Sequence, residues 1–148
     1  SVLPHEVFCI EQPLPREKKQ ELVEVASQCV IPIMLDEGLR TLSDAHFFKA
    51  ENRLPLFNIK LMQVGGIAPA LSLVLAAQIE GVDLYVSGLE ESQLGISAAL
   101  HFALGSPMIH STCLDGFMTL SDDPAKGILR FEEGYLYPNE KPGFGFEG

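Results

Sequence analysis

Residues 56–67 read LFNIKLMQVGGI, an apolar run interrupted by one cation, Lys60, and followed at once by Gly65 and Gly66. A lysine inside such a run either snorkels its amine to solvent or sits in a pocket that uses the charge. The neighbouring stretches bear on the choice. Upstream, residues 7–12 (VFCIEQ) and 30–37 (VIPIMLDE) are apolar runs that end near Glu11 and at Asp36 and Glu37. Downstream, residues 83–89 (DLYVSGL) and 107–114 (PMIHSTCL) repeat the pattern, the last leading into Asp115. The 25 residues from Glu11 to Asp36 and the 24 from Asp36 to Lys60 are each about the length of a strand, a helix and two short loops.

Runs of this kind at a regular period predict stacked βα units and a parallel sheet. The fold class is therefore α/β, with about five parallel βα units of a TIM-like (β/α) barrel. In such a barrel functional groups lie at the C-terminal strand ends, where Glu11, Asp36, Lys60 and Asp115 fall. Residues 1–116 form the periodic part, a partial barrel carrying these strand ends. Residues 117–148 are a return segment, with short strands at 128–132 and 135–137 about Gly134 and a Gly-rich tail at 142–148. A closed eight-stranded barrel takes roughly 250 residues, and this chain has 148. Five units are then expected to be part of a larger protein, or a half whose open edges need a partner. A five-stranded open sheet with helices on both faces is the alternative.

Helices are predicted between the runs. Residues 16–29 place Leu22, Val23, Ala26 and Cys29 on one stripe, with Lys18, Lys19, Glu21 and Glu24 largely opposite. Ser43 is a candidate cap for a helix to Glu51, and residues 52–55 a candidate stop. Gly65 and Gly66 open an apolar helix to Glu80, which Gly81 ends in a left-handed conformation; Gly105 is expected to end the helix from Gln93 the same way.

The formal charge of −10 and pI near 4.7 disfavour nucleic acid or an anionic membrane surface as partner. Residues 67–79, the longest mostly apolar segment, are too short and too interrupted to span a bilayer. Three widely spaced cysteines without a C-x-x-C pair argue against a disulfide framework or zinc knuckle and fit a reducing, cytoplasmic setting. The four histidines show no metal-ligand spacing.

Glu11 and Asp36 are hard oxygen ligands of the kind Mg²⁺ selects. On adjacent parallel strands their like charges would repel unless a cation lay between them. Equally, each could cap a helix or meet solvent. Lys60 could be their structural counter-ion, or a general base whose ammonium form is disfavoured by partial desolvation and a nearby divalent cation. Asp115, before Gly116, reads as a turn residue or as a group that binds a substrate ammonium or hydroxyl; Cys113 reads as a packed thiol.

The segments IEQP at 10–13, LDE at 35–37, NIKLM at 58–62 followed by Gly65, Gly66 and Ile67, and LEES at 89–92 resemble the C-terminal half of the barrel in the enolase superfamily. More narrowly they resemble its muconate-lactonizing subgroup, with dipeptide epimerases closest. The resemblance implies that Glu11 and Asp36 are two of three carboxylate ligands of a catalytic Mg²⁺ and that Lys60 is one of two acid/base lysines. The relatives' Asp-x-Asp at the last strand end is Cys113-Leu114-Asp115 here, which makes Asp115 and Cys113 the candidate substrate-binding residues.

The implied reaction is removal and return of the α-proton of a small-molecule carboxylate through an enediolate, as in epimerisation of a dipeptide or N-acyl amino acid. A cycloisomerase or an o-succinylbenzoate synthase-like lyase is the alternative within the superfamily. A non-catalytic half-barrel with a structural ion network is the alternative outside it. The third metal ligand, second lysine and capping domain precede this half in the family. The chain alone is therefore expected to be inactive, with a missing N-terminal half as its partner and a homo-oligomer as a possible assembly.

Overall fold

The computed structural model describes residues 7–49 and 56–146. Five strands form one parallel sheet in sequential order: β1 (Ile10–Glu11), β2 (Ile33–Leu35), β3 (Leu56–Ile59), β4 (Leu84–Ser87) and β5 (Ile109–Cys113). Between them run α1 (Lys19–Gln28), α2 (Leu42–Lys49), the single turn α3 (Leu61–Val64), α4 (Ile67–Glu80) and α5 (Gln93–Leu104). The expected elements are present, and the helix end expected at Glu51 and the stop expected at residues 52–55 lie outside the described residues. After a 3₁₀ turn (Gly116–Thr119), β6 (Leu129–Glu132) and β7 (Tyr135–Pro138) make a separate antiparallel pair.

Strand alternation sorts the side chains into two faces. Ile33, Leu35, Phe57, Ile59, Leu84 and Val86 join the buried core with Leu22, Phe48, Leu73, Ala77, Ile96 and Leu100 of the helices. The intervening Glu11, Met34, Asn58, Lys60, Tyr85 and Ser87 line a cavity on the other face. This second face mixes Met34 and Tyr85 with the polar Glu11, Asn58, Lys60 and Ser87, and no helix of the described residues packs across it as the core helices pack on the first.

Register in β5 shifts by one residue: Leu84 pairs with Ile109, but Tyr85 pairs with Ser111 and Ser87 with Cys113. The irregularity re-aims the end of the strand. Ile109 packs against the core, while Cys113, four residues on, lines the cavity.

Gly65 and Gly66 are consecutive positive-φ residues (95° and 109°), a backbone path that side chains oppose. They close α3 and start α4, so Lys60 leaves β3 straight into a helical turn. Gly81 is left-handed as expected (φ 67°), but Gly105 is right-handed (φ −79°, ψ −8°), so α5 ends without the turn predicted for it. At Gly116 an added Cβ would lie 1.8 Å from the Leu89 carbonyl oxygen, so this close crossing of two loops admits only glycine.

The cap of α2 also differs from expectation. Thr41, not Ser43, precedes the helix: the Asp44 N–H donates to Thr41 Oγ1 (3.2 Å), and Asp44 Oδ2 accepts from the Thr41 N–H (2.9 Å) and hydroxyl (2.9 Å). This is a reciprocal capping arrangement, extended by the Arg40 N–H (3.1 Å) and by a salt bridge from Lys19 of α1. Burial pushes the Asp44 carboxyl upward, but these donors, Lys19 first, outweigh it and hold its pKa below the usual 3.8. A lowered folded-state pKa means stability present above 3.8 that is lost as pH falls through the folded-state value. Asp44→Ala should therefore cost about 1–2 kcal/mol at neutral pH. The gap from wild type should close as pH drops below 3.8, read by thermal melts across pH.

The return segment docks on α5. Asp123 Oδ2 accepts from the Gln93 N–H (2.7 Å), Gln93 Oε1 accepts from the N–H groups of Gly127 (2.8 Å) and Leu129 (3.2 Å), and Ser97 Oγ donates to the Phe144 carbonyl (2.8 Å). Among the described residues no helix is long and apolar enough to cross a membrane.

Candidate active site

The C-terminal ends of β1–β5 and the loops that follow them carry the candidate residues. Lys60, the residue after β3, donates from Nζ to Asp36 Oδ2 (2.5 Å), the residue after β2. Both side chains are largely enclosed, at 14% and 16% exposure. A pair this shielded is held by geometry more than by net electrostatic gain. The other carboxylate oxygen, Asp36 Oδ1, is buried and has no hydrogen-bond partner among the described residues. An unpaired buried carboxylate oxygen is costly unless a cation satisfies it.

Glu11, at the end of β1, is exposed at residue level but not loose: its Oε1 accepts from Asn58 Nδ2 (2.9 Å). Asn58 in turn accepts at Oδ1 from the Ser87 hydroxyl (2.8 Å) and is 1% exposed. A hydrogen-bonded row from Glu11 of β1 through Asn58 of β3 to Ser87 of β4 thus crosses the inner face. Glu11, Asn58, Lys60, Ser87, Cys9 and Cys113 line one cavity of about 340 Å³.

At the far edge Cys113 Sγ donates to Asp115 Oδ1 (3.4 Å). Its thiol pKa is raised, first by local desolvation, then by the hydrogen bond and charge of Asp115 and the charge of Glu11, with Lys60 opposing. Cys9 is raised by burial and by Glu11. Neither is therefore a ready thiolate. Asp115 stands just before the 3₁₀ turn, its carbonyl accepting from the Met118 N–H (2.9 Å), which accords with its turn reading; its carboxylate reaches the cavity only through Cys113.

Lys60 is thus paired with Asp36 and lines the same cavity as Glu11, which Asn58 holds, while Asp115 is hydrogen-bonded to Cys113 at the cavity's edge. Among the described residues no group of three or more His, Cys, Asp or Glu side chains is placed to hold a metal. Glu11, held by Asn58, and Asp36, with its unsatisfied buried oxygen, are hard oxygen donors of the kind a small divalent cation takes. Sequence reasoning assigned no role to Asn58 or Ser87. The signal for Asn58 was available, since two residues before Lys60 on a strand is the same face; Ser87 reaches it diagonally, because the register partner of Asn58 is Tyr85.

A family profile described as enolase C-terminal domain-like matches residues 2–148. The chain belongs to that family. Members similar to it include the L-Lys-D/L-Arg epimerase of Methylococcus capsulatus, 38% identical over 137 residues that cover 92% of this chain. A crystal structure of a dipeptide epimerase from the same organism, complexed with Mg and the dipeptide L-Arg-D-Lys, superposes with a TM-score of 0.83 at 37% identity over 93% of this chain and 39% of that one. The N-succinyl Arg/Lys racemase of Bacillus cereus superposes at 0.86 with 31% identity, over 98% of this chain and 39% of that one. The chain spans 38% of the length of the Methylococcus epimerase. Within the enolase C-terminal domain-like family, these neighbours show that the five-stranded sheet is the C-terminal part of a TIM-barrel.

Proposed function

We propose that this chain supplies the metal-holding carboxylates and one acid/base lysine of an Mg²⁺-dependent epimerase or racemase, working within a longer polypeptide of its relatives' length. The observation that carries the reading is the Asp36–Lys60 pair, with Asp36 Oδ1 buried and unpaired in the mouth of a half-barrel. Glu11 and Asp36 would hold Mg²⁺, with a third ligand from outside this chain. When bound, the ion offsets charge that develops on a substrate carboxylate as the neighbouring C–H bond breaks.

Lys60 Nζ takes or returns the α-proton on one face of the substrate carbon, and Asp36 holds that amine at the cavity. Asn58 keeps the Glu11 carboxylate turned along the inner face, and Ser87 fixes the Asn58 amide so that its Nδ2 is the group facing Glu11. Cys113 and Asp115 at the rim contact the substrate's amino-terminal or acyl portion. The substrate is a dipeptide or an N-acyl amino acid, the two classes named for the relatives above. The complete polypeptide, given Mg²⁺ and panels of dipeptides and N-succinyl amino acids in D₂O, should lose the α-proton NMR signal of its substrates, and chelation should stop the loss. Bound Mg²⁺ with no exchange in either panel would refute the reading.

A further inference from the structure

The turn that carries Asp36 is gripped from both sides by side-chain amides. From the β1 side, Gln12 Oε1 accepts from the N–H groups of Asp36 (3.0 Å) and Gly38 (3.0 Å), while its Nε2 donates to the Leu14 carbonyl (2.8 Å). From the β3 side, Gln63 of α3 donates from Nε2 to the carbonyls of Asp36 (2.7 Å) and Leu39 (3.3 Å). The peptide groups before and after the Asp36 Cα are therefore each tied to a neighbouring βα unit. Gln12 makes its bonds from a positive φ of 34°, a conformation that non-glycine residues rarely adopt. Gly38 is also fitted to it, since an added Cβ would come within 2.9 Å of Gln12 Oε1.

Four bonds from two amides converge on one short turn, and neither amide contacts the Asp36 carboxylate. With the backbone on both sides pinned, the carboxylate keeps only its own two torsions. Lys60 takes Oδ2, which leaves Oδ1 as the oxygen available to a cation. We infer that Gln12 and Gln63 are positioning residues that aim the Asp36 carboxylate and so set the affinity of the site for Mg²⁺ without taking part in proton transfer. This rests on the metal role proposed above for Asp36.

The test is calorimetric titration of the complete polypeptide with Mg²⁺ alone. Gln12→Met and Gln63→Met, which keep side-chain bulk and remove the amide, should each weaken Mg²⁺ by about 10–100-fold, the range for outer partners of metal ligands. The Mg²⁺ concentration needed for half-maximal turnover should rise in step, while kcat at saturating Mg²⁺ stays within about twofold. Gln12→Glu keeps an oxygen acceptor for the two N–H groups and should recover most of the affinity. Asp44→Ala, a cap mutation on the neighbouring helix, controls for stability: it should lower Tm and leave Mg²⁺ affinity in place. Should Gln12→Met fail to fold, Gln63→Met makes the same measurement from the other side. Wild-type affinity in the folded variants, or a weakening matched by Asp44→Ala, would overturn the inference. Absence of Mg²⁺ binding by the parent protein would overturn the metal assignment itself, and the inference with it.

Discussion

Lys60→Ala in the complete polypeptide should reduce exchange of the substrate α-hydrogen with solvent deuterium on one face by about 10²–10⁴-fold, the usual contribution of a positioned acid/base group. The strand before it is anchored in the core through Phe57 and Ile59, and Gly65 and Gly66 let the chain turn immediately after it, so truncation removes the amine without disturbing what carries it. Mg²⁺ should still bind, because alanine leaves Glu11, Asp36 and their partners Asn58, Gln12 and Gln63 intact. Exchange on the opposite face should persist if, as proposed, a lysine from outside this chain serves it. Retained exchange on the Lys60 face would refute its role, and lost Mg²⁺ binding would show that the amine is structural.

Asp36→Asn is the complementary experiment and should abolish Mg²⁺ binding by calorimetry, a loss beyond the roughly 10–100-fold produced by outer partners. The substitution keeps size and shape but removes the negative charge shared between Lys60 and the proposed ion. It also leaves the Lys60 ammonium without its counter-charge in a largely enclosed position. Turnover should therefore fall at every Mg²⁺ concentration, unlike in Gln12→Met, where excess Mg²⁺ restores it. An Asp36→Asn protein that bound Mg²⁺ as tightly as wild type would place the ion elsewhere.

The order of the five strands, the helices between them and the two late strands was legible in the sequence because each rests on a local pattern. Apolar runs of strand length, helical stripes such as Leu22, Val23 and Ala26, and glycines at the required turns all act within a few residues. The misreadings were local as well. Ser43 and Thr41 are both good caps, and the choice fell to Thr41 because Asp44 answers it from inside the helix and Lys19 of another helix holds Asp44. Gly105 was expected to be left-handed, yet α5 ends in a right-handed turn that places no demand on glycine's freedom.

The candidate residues were legible as strand-end acids and a misplaced cation, and the family resemblance sharpened their roles. Their partners were not. Asn58 bridges Glu11 to Ser87 across three strands, and Gln12 and Gln63 reach Asp36 from 24 and 27 residues away in sequence. A glutamine or asparagine side chain has no sequence pattern that names its partner.

By itself, then, the sequence determined that polar strand ends would share one rim, because period-2 alternation and βα repetition are properties of the chain taken a few residues at a time. Only the tertiary structure decided which of those groups touch. The one-residue slip in β5 turned Cys113 inward, and the Ser87 hydroxyl met Asn58 diagonally, two residues past Asn58's register partner Tyr85. Two amides from neighbouring units locked the Asp36 turn while one carboxylate oxygen stayed unpaired. Those outcomes depend on distances between segments that no local preference encodes.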